Sequence, residues 1–319
     1  MTGQDVIACK PVPGPSPFRP VPRPHPVPRP RPISKGRMMT IAVGMISPGF
    51  LIVGADSEES WSGGLKTPAR KVSVGILSRI SGGQLRRGRI LVTGAGGSNY
   101  LQHLKTRIIE RIERSRFGAR TFQATVENII AEEVMTFFLT EYAPLAPQLD
   151  PQGYEEPQLL VAVQFGDRRE LWQTYKGTVT RVLGGHAVVG AGQIHASAIL
   201  DPTTMISINE HAATVATCYA IFAAKEKVSG CGKETRVFAL RRGGEMLAAD
   251  SKAIREAEDV FREYEVLQND NLNALLASPK RGYVSTNADA RQSEIRAKLN
   301  AIEFYPPAQP KRGGISYGD

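Results

Sequence analysis

Two short apolar runs rich in β-branched residues constrain the fold most strongly. They are Thr40–Ile46 and Phe50–Ala55, and only Ser47-Pro48-Gly49 separates them. A three-residue connection that ends in glycine is typical of a β-hairpin, because glycine adopts a left-handed backbone conformation at little cost. A turn centred on the proline predicts that Thr40 lies opposite Asp56, with a slip of at most one residue because both strands are short and bounded.

The hairpin has a chemical use if Thr40 is the first residue of the mature chain. A free α-amine has a reference pKa of about 7.7–8.0, so part of it is neutral near pH 7 and can take the proton of the same residue's hydroxyl. Asp56 would orient such a site, and Lys71, at the start of the next apolar run, would keep the basicity of the amine low. Thr, Asp and Lys near strand ends are also common as surface residues, so the pattern alone leaves both interpretations open.

The distribution of charge argues against a nucleic-acid-binding surface. The chain has 319 residues and a net charge of +9, but residues 1–39 contain seven basic side chains and one acid, which leaves +3 for the other 280 residues. That excess is too small for a basic binding face. Because no uncharged run approaches the ~18 residues of a membrane helix, and the N-terminus lacks the apolar core of a signal peptide, we expect a soluble cytoplasmic protein without a nucleic-acid or membrane partner.

The glycine, histidine and cysteine patterns predict neither a cofactor nor a metal. The segment Gly94–Asn99 lacks the third glycine of a dinucleotide fingerprint, and no Lys-Ser/Thr follows it as a nucleotide-triphosphate loop requires. The histidines His186, His195 and His211 form no pair four residues apart with an intervening glutamate. The three cysteines are widely spaced and odd in number, which is typical of neither a disulfide framework nor a zinc site.

Composition divides the chain into three parts. Residues 1–39 include a segment, 11–32, with eleven of the chain's 22 prolines, which favours extended polyproline II structure and cannot bury a core. We interpret it as a disordered extension, upstream sequence from a wrongly chosen start codon, a propeptide, or a ligand for a proline-recognising domain. Residues 40–245 are expected to form the compact domain. Residues 246–319 are expected to form a helical extension, with helices over 250–277 and 287–302 and a flexible end.

The spacing of Thr40, Gly44 and Ala55-Asp56 resembles the N-terminus of proteasome β-type subunits and their bacterial relatives, which belong to the N-terminal nucleophile (Ntn) hydrolase superfamily. In that family a mature N-terminal threonine starts a strand, a glycine follows four residues later, and an Ala-Asp pair ends the second strand. The resemblance implies that Thr40 is the nucleophile and that Asp56 and Lys71 are its catalytic partners. Lys71 takes the position of the family's lysine after deletion of one residue.

Later segments resemble the same family and identify further candidate residues. Residues 90–104 resemble the strand, glycine turn and helix that supply the oxyanion-hole amide, with Gly94 as the equivalent. Residues 226–241 resemble the family's late acid-x-x-Ser segment, which implies catalytic roles for Glu226 and Ser229.

The order of elements implied by the resemblance is that of an α+β protein, a four-layer αββα sandwich. Two or three antiparallel strands are expected within 159–182. The helical spacing of apolar residues predicts helices over 99–117, 121–142 and 209–227.

Several positions depart from the family's pattern. Ala191 stands between two glycines where the family usually has a serine, which weakens proton transfer without removing the nucleophile. Glu226 replaces the usual aspartate, and Met39 rather than glycine precedes Thr40. Met39-Thr40 fits an authentic start, because a small second residue allows methionine removal, and we favour this over propeptide cleavage as the way Thr40 is exposed.

The resemblance implies a threonine-type endopeptidase that cleaves amide bonds in peptides or proteins. It also implies self-assembly into a ring or helical oligomer, with an unfolding ATPase as a partner. Two alternatives stay open from the sequence. One is a catalytically inactive ring or scaffold subunit of the same fold, and the other is an Ntn hydrolase that acts on a small amide, since fold alone does not decide substrate.

Overall fold

The computed structural model describes residues 40–305 with short gaps. The gaps are residues 61–65, 69–70, 82–83, 97, 119, 145–155, 184, 205–207, 229–230 and 278–285. The Pro-rich segment 11–32 therefore lies outside the described residues, as does the flexible end predicted over 305–319 except for Tyr305.

Twelve strands and six α-helices are assigned within the described residues. The strands are β1 (Ile41–Ile46), β2 (Phe50–Asp56), β3 (Glu58–Ser60), β4 (Lys66–Pro68), β5 (Ser73–Ser81), β6 (Gln84–Ala95), β7 (Gln158–Phe165), β8 (Arg168–Tyr175), β9 (Thr178–Arg181), β10 (Gly185–Gly190), β11 (Thr235–Arg241) and β12 (Met246–Ala248). The helices are α1 (Ser98–Arg114), α2 (Phe122–Phe137), α3 (Gln193–Thr204), α4 (Glu210–Lys227), α5 (Ser251–Ala277) and α6 (Thr286–Ala301). A π-helical turn, Phe138–Tyr142, continues α2, and a 3₁₀ turn at Arg242–Gly244 follows β11.

The predicted hairpin forms, with its register shifted by one residue. Ala42 pairs with Ala55 and Ile46 with Leu51, so Asp56 lies opposite Ile41 rather than Thr40, which is the slip of one residue that the prediction allowed. The reason lies in the turn, where the Ser47 amide donates to the Phe50 carbonyl at 3.0 Å. Thr40 therefore lies just before the first strand, and Asp56 is level with Ile41.

Two antiparallel five-stranded sheets form the centre of the domain. Their strand orders are β10-β1-β2-β11-β12 and β5-β6-β7-β8-β9. Alternate residues of β1 point to opposite faces, as the two-residue period of a strand requires. Ile41 and Val43 pack towards the helices, whereas Ala42 packs between the sheets with residues such as Leu91 and Leu160.

Helices cover the outer face of each sheet and complete four layers. Helices α1 and α2 pack on β5–β8 through an apolar cluster that includes Leu104, Ile108 and Phe122. Helices α3 and α4 pack on the other sheet through Ala196, Ile221 and Phe222. The fold class predicted from the sequence, an αββα sandwich, is thereby confirmed.

The C-terminal helix α5 is part of the layer formed by α3 and α4. Its buried residues Ala253, Ile254, Ala257 and Phe261 belong to the same apolar cluster as the core of α4 and β1. The bounds of α5 match the predicted helix over 250–277, and those of α6 match the prediction over 287–302 within a residue. Within the described part of the chain, no helix combines the length and the apolar character needed to cross a membrane.

We expect Phe261→Ala to lower the free energy of unfolding by about 3–5 kcal/mol, because Phe261 is only 2% exposed and its removal leaves a cavity between α5 and α4. Val266→Ala is the control on the same helix, since Val266 is 54% exposed and should change stability by no more than about 0.5 kcal/mol. Urea denaturation of both variants measures the difference. Equal stabilities would show that α5 is not part of the core.

Candidate active site

Three polar side chains meet at the start of β1. The Lys71 Nζ donates to the Thr40 Oγ1 at 2.5 Å and to the Asp56 Oδ1 at 2.7 Å. All three residues are buried, with Thr40 and Lys71 each 8% exposed and Asp56 1% exposed. Burial strengthens the interaction between the ammonium and the carboxylate, since fewer water molecules screen it. The hydroxyl of Thr40 therefore lies beside a fixed positive charge.

Backbone amides from two other segments hold the carboxylate of Asp56. The Ile41 amide donates to Oδ1 at 3.2 Å, and the Gly232 amide donates to Oδ2 at 3.0 Å. Desolvation raises the pKa of Asp56 above its ordinary value, and the charge of Lys71 together with the hydrogen bonds from Lys71, Gly232 and Ile41 opposes that rise. The carboxylate thus depends on its donors to stay ionised.

The main chain of Thr40 is fixed by the end of β10. The Ala191 amide donates to the Thr40 carbonyl at 3.0 Å. Gly190 has a φ of +102°, and a Cβ there would lie 2.0 Å from the same carbonyl oxygen and 2.9 Å from the Cβ of Ala95. Only glycine fits this close approach. Ala191 contributes a backbone donor to the site, but its methyl group offers no hydroxyl there.

A second buried lysine supports the backbone of Lys71. Lys105, on α1, is 2% exposed, and its Nζ donates to the Lys71 carbonyl at 3.0 Å. Lys71 precedes β5 and lies outside any strand. The contact therefore connects the helical layer to a coil residue whose side chain must point accurately at Thr40.

The other predicted site residues lie at different distances from this cluster. Gly94 lies in β6 next to Ala95, whose Cβ borders Gly190, so the end of β6 reaches the main chain of Thr40. Glu226 is exposed in the last turn of α4, and no hydrogen bond or ion pair among the described residues joins it to the cluster. Ser229 falls outside the described residues.

The solved structures with a similar fold include three Anbu proteins. Anbu (ancestral beta-subunit) from Yersinia bercovieri has a TM-score of 0.56 and 12% identity, covering 77% of this chain and 100% of that one. The Anbu (Gly-1) mutant from Hyphomicrobium sp. strain MC1 has a TM-score of 0.52 and 14% identity, with the same two coverages. The helical assembly of the Anbu complex from Pseudomonas aeruginosa has a TM-score of 0.54 and 16% identity, covering 74% of this chain and 97% of that one.

The chain shares the fold of these Anbu proteins. The likeness supports the four-layer architecture that the opening hairpin led us to expect. At these identities the likeness to Anbu concerns the fold alone. No protein-family model matches the chain, and no curated protein sequence matches it.

The described residues contain no group of three or more His, Cys, Asp or Glu side chains that could hold a metal ion. The polar cluster itself consists of a hydroxyl, an ammonium and a carboxylate, and its ammonium occupies the space beside the carboxylate. The chemistry that this arrangement can perform is therefore proton transfer and nucleophilic attack.

Sequence reasoning missed two residues that complete the site. Gly232 lies in Cys231-Gly232-Lys233, where no motif identified it as a donor to Asp56. Lys105 did leave a signal, because it shares the helix face of Leu101, Ile108 and Ile112, which are all buried. A lysine inside an apolar stripe has to find a polar partner in the interior.

We expect Lys71→Met to lower the free energy of unfolding by about 3–5 kcal/mol at neutral pH, because it leaves the buried Asp56 carboxylate without its cation. Loss of Lys71 also raises the folded-state pKa of Asp56 further. Below that pKa the carboxyl group is neutral and no unpaired charge is buried. The loss of stability should therefore be largest above the pKa of Asp56 in the folded variant, and it should shrink as the pH falls through that pKa. Urea denaturation across a pH series measures this trend.

The control is the double variant Lys71→Met with Asp56→Asn, which removes both charges. It should recover most of the lost stability at neutral pH. A double variant as unstable as Lys71→Met would mean that the ion pair is not the source of the effect.

Proposed function

We propose that this protein is a threonine-type Ntn amide hydrolase, most simply a peptidase, with Thr40 as its nucleophile. The observation that carries the proposal is the position of the Lys71 ammonium, 2.5 Å from the Thr40 hydroxyl oxygen and 2.7 Å from Asp56. The proteasome-like fold of the structural neighbours supports it.

The first step is activation of the nucleophile. The α-amine of a mature Thr40 takes the proton of its own hydroxyl, directly or through a water molecule, and Oγ1 attacks the carbonyl carbon of the substrate. The ammonium of Lys71 stabilises the developing alkoxide and keeps the amine partly neutral. Asp56 holds Lys71 in place through their 2.7 Å contact.

The second step is cleavage through an acyl-enzyme. The tetrahedral oxyanion accepts a hydrogen bond from a backbone amide, a role we assign to Gly94, and removal of one such donor in other enzymes costs about 3–4 kcal/mol. The ammonium form of the Thr40 amine then protonates the leaving nitrogen, which leaves an ester on Oγ1. Water hydrolyses this ester, with the amine again as the base. In this scheme Glu226 and Ser229 are further candidates for ordering the amine.

The mechanism requires that Thr40 be released from the residues that precede it. A peptide bond to Met39 would convert the α-amine into an amide, which is not a base. Methionine removal from a chain that starts at Met39, or cleavage after Met39, would free it.

We further propose that the chain self-assembles and acts on peptide or protein substrates in the cytoplasm. The Pseudomonas aeruginosa neighbour is described as a helical assembly, which favours a ring or helical oligomer here. An unfolding ATPase that feeds substrate to the assembly remains part of this proposal.

One observation favours a second candidate, an inactive scaffold subunit of the same fold. At Ala191 the chain offers Thr40 only a backbone amide, so the hydroxyl that the family uses in proton transfer is absent from that position. If Thr40 stays joined to Met39, the protein is the inactive scaffold subunit rather than the hydrolase.

We expect Thr40→Ala, in a chain that begins at Met39 and loses its methionine, to reduce hydrolysis of a fluorogenic peptide at least about 1,000-fold, because it removes the nucleophile. Lys71→Ala should lose nearly as much. Circular dichroism and gel filtration should show an unchanged fold and assembly for Thr40→Ala.

Thr40→Ser is the matched control, since it keeps a hydroxyl and should retain measurable turnover. Peptide turnover by Thr40→Ala equal to that of the parent chain would refute the mechanism.

Ala191→Ser restores the hydroxyl beside the Thr40 main chain, so we expect turnover equal to that of the parent chain or higher. Steady-state kinetics on the same peptide measures this. A clear loss of activity would mean that a hydroxyl at position 191 does not assist proton transfer at Thr40.

A further inference from the structure

A buried ion pair joins α4 to the C-terminal helix α5. The Lys225 Nζ donates to the Glu258 Oε1 at 2.6 Å, and both side chains are 10% exposed. The hydroxyl of Thr235, at the start of β11, also donates to this oxygen at 2.6 Å. The desolvation penalty of burying two charges offsets much of their Coulombic attraction. The pair therefore matters less for its own contribution to stability than for the residues that it keeps in position.

Lys225 also holds the chain segment that leads to Asp56. Its Nζ donates to the Lys233 carbonyl at 2.9 Å and contacts the Thr235 Oγ1 at 3.1 Å. One residue before Lys233, the Gly232 amide donates to the Asp56 Oδ2 at 3.0 Å. Hydrogen bonds at both ends of the short backbone segment Gly232-Lys233 therefore connect Glu258 to the carboxylate that fixes Lys71.

Residues 232–234 need such a support because no helix or strand fixes their backbone. They lie in coil before β11 begins, and Lys233 and Glu234 are exposed. Lys233 has a φ of +57°, a left-handed conformation that costs energy for a residue with a side chain. Two hydrogen bonds to Ser57 fix Glu234, which leaves Gly232 and Lys233 to be fixed mainly by Asp56 and Lys225.

We propose that Glu258 is a positioning residue for the Thr40 site. Its carboxylate fixes Lys225 and Thr235, and through them it orients the Gly232 amide towards Asp56. Helix α5 thereby contributes to the site although no hydrogen bond or ion pair among the described residues joins it directly to Thr40. This inference rests on the proposed function for its catalytic consequence, but its structural part can be measured without any activity.

The first test is hydrogen exchange at the Gly232 amide in the full chain, by mass spectrometry of peptides that cover 231–236. Glu258→Gln should speed exchange about tenfold, because one weakened hydrogen bond changes the opening equilibrium by about that factor. Glu263→Gln is the matched control on α5. Glu263 binds Lys298 at 2.7 Å on the exposed surface, so the Gly232 amide should exchange as in the parent chain. The amides of β7 should stay unchanged in both variants.

The second test is kinetic and uses the chain that starts at Thr40. Glu258→Gln should lower kcat about three- to tenfold with KM within about twofold, because the affected residues do not bind substrate. Lys225→Met should cause a similar loss. The double variant Glu258→Gln with Lys225→Met buries no unpaired charge and should lose no more than the worse single variant, since the two residues act through one contact.

The outcomes separate the inference from the proposed function. Unchanged Gly232 exchange in Glu258→Gln, or faster exchange spread equally over β7, would overturn the positioning role. A parent chain that begins at Thr40 and hydrolyses no peptide would instead refute the proposed function, while the exchange comparison would still decide what Glu258 does. Equal kcat values for Glu258→Gln and Glu263→Gln in an active enzyme would also overturn the inference.

Discussion

The buried contact of the Lys71 ammonium with Thr40 and Asp56 is the interaction on which the rest of the site depends. A positive charge beside a hydroxyl is useful only if its position is fixed, and a buried cation is tolerated only if it is paired. Asp56 meets both requirements, because its two oxygens together accept bonds from Lys71, Ile41 and Gly232. The cluster is thus an ion pair held by backbone amides, with the Thr40 hydroxyl at its edge.

The four layers bring these groups together from distant parts of the sequence. The first hairpin supplies Thr40 and Asp56, the coil before β5 supplies Lys71, and the segment before β11 supplies Gly232. The helices act as the outer supports, since Lys105 on α1 binds the Lys71 carbonyl and Lys225 on α4 binds the Lys233 carbonyl. Both helical layers, one on each outer face of the paired sheets, thereby bind backbone carbonyls of segments that form the site.

The sequence predicted most of the fold because the constraints there are local. The hairpin follows from two β-branched runs and a Pro-Gly turn, and each long helix follows from its own apolar spacing. The one-residue slip in register arose from the turn, whose hydrogen bond from Ser47 to Phe50 no composition rule specifies. Gly232 could not be found in this way, because its role depends on a carboxylate 176 residues away in the sequence. Helix α5 was predicted correctly as a helix but not as a support for the site, since the partner of Glu258 is set by packing.

The proposed hydrolase requires that Thr40 become a free N-terminal nucleophile. Intact-mass measurement and N-terminal sequencing of the protein purified from its native cells test it most directly. We predict a chain that begins at Thr40, with the mass of residues 1–39 removed. A chain that begins at Met1 or Met39 would leave the α-amine of Thr40 in a peptide bond and would contradict the claim.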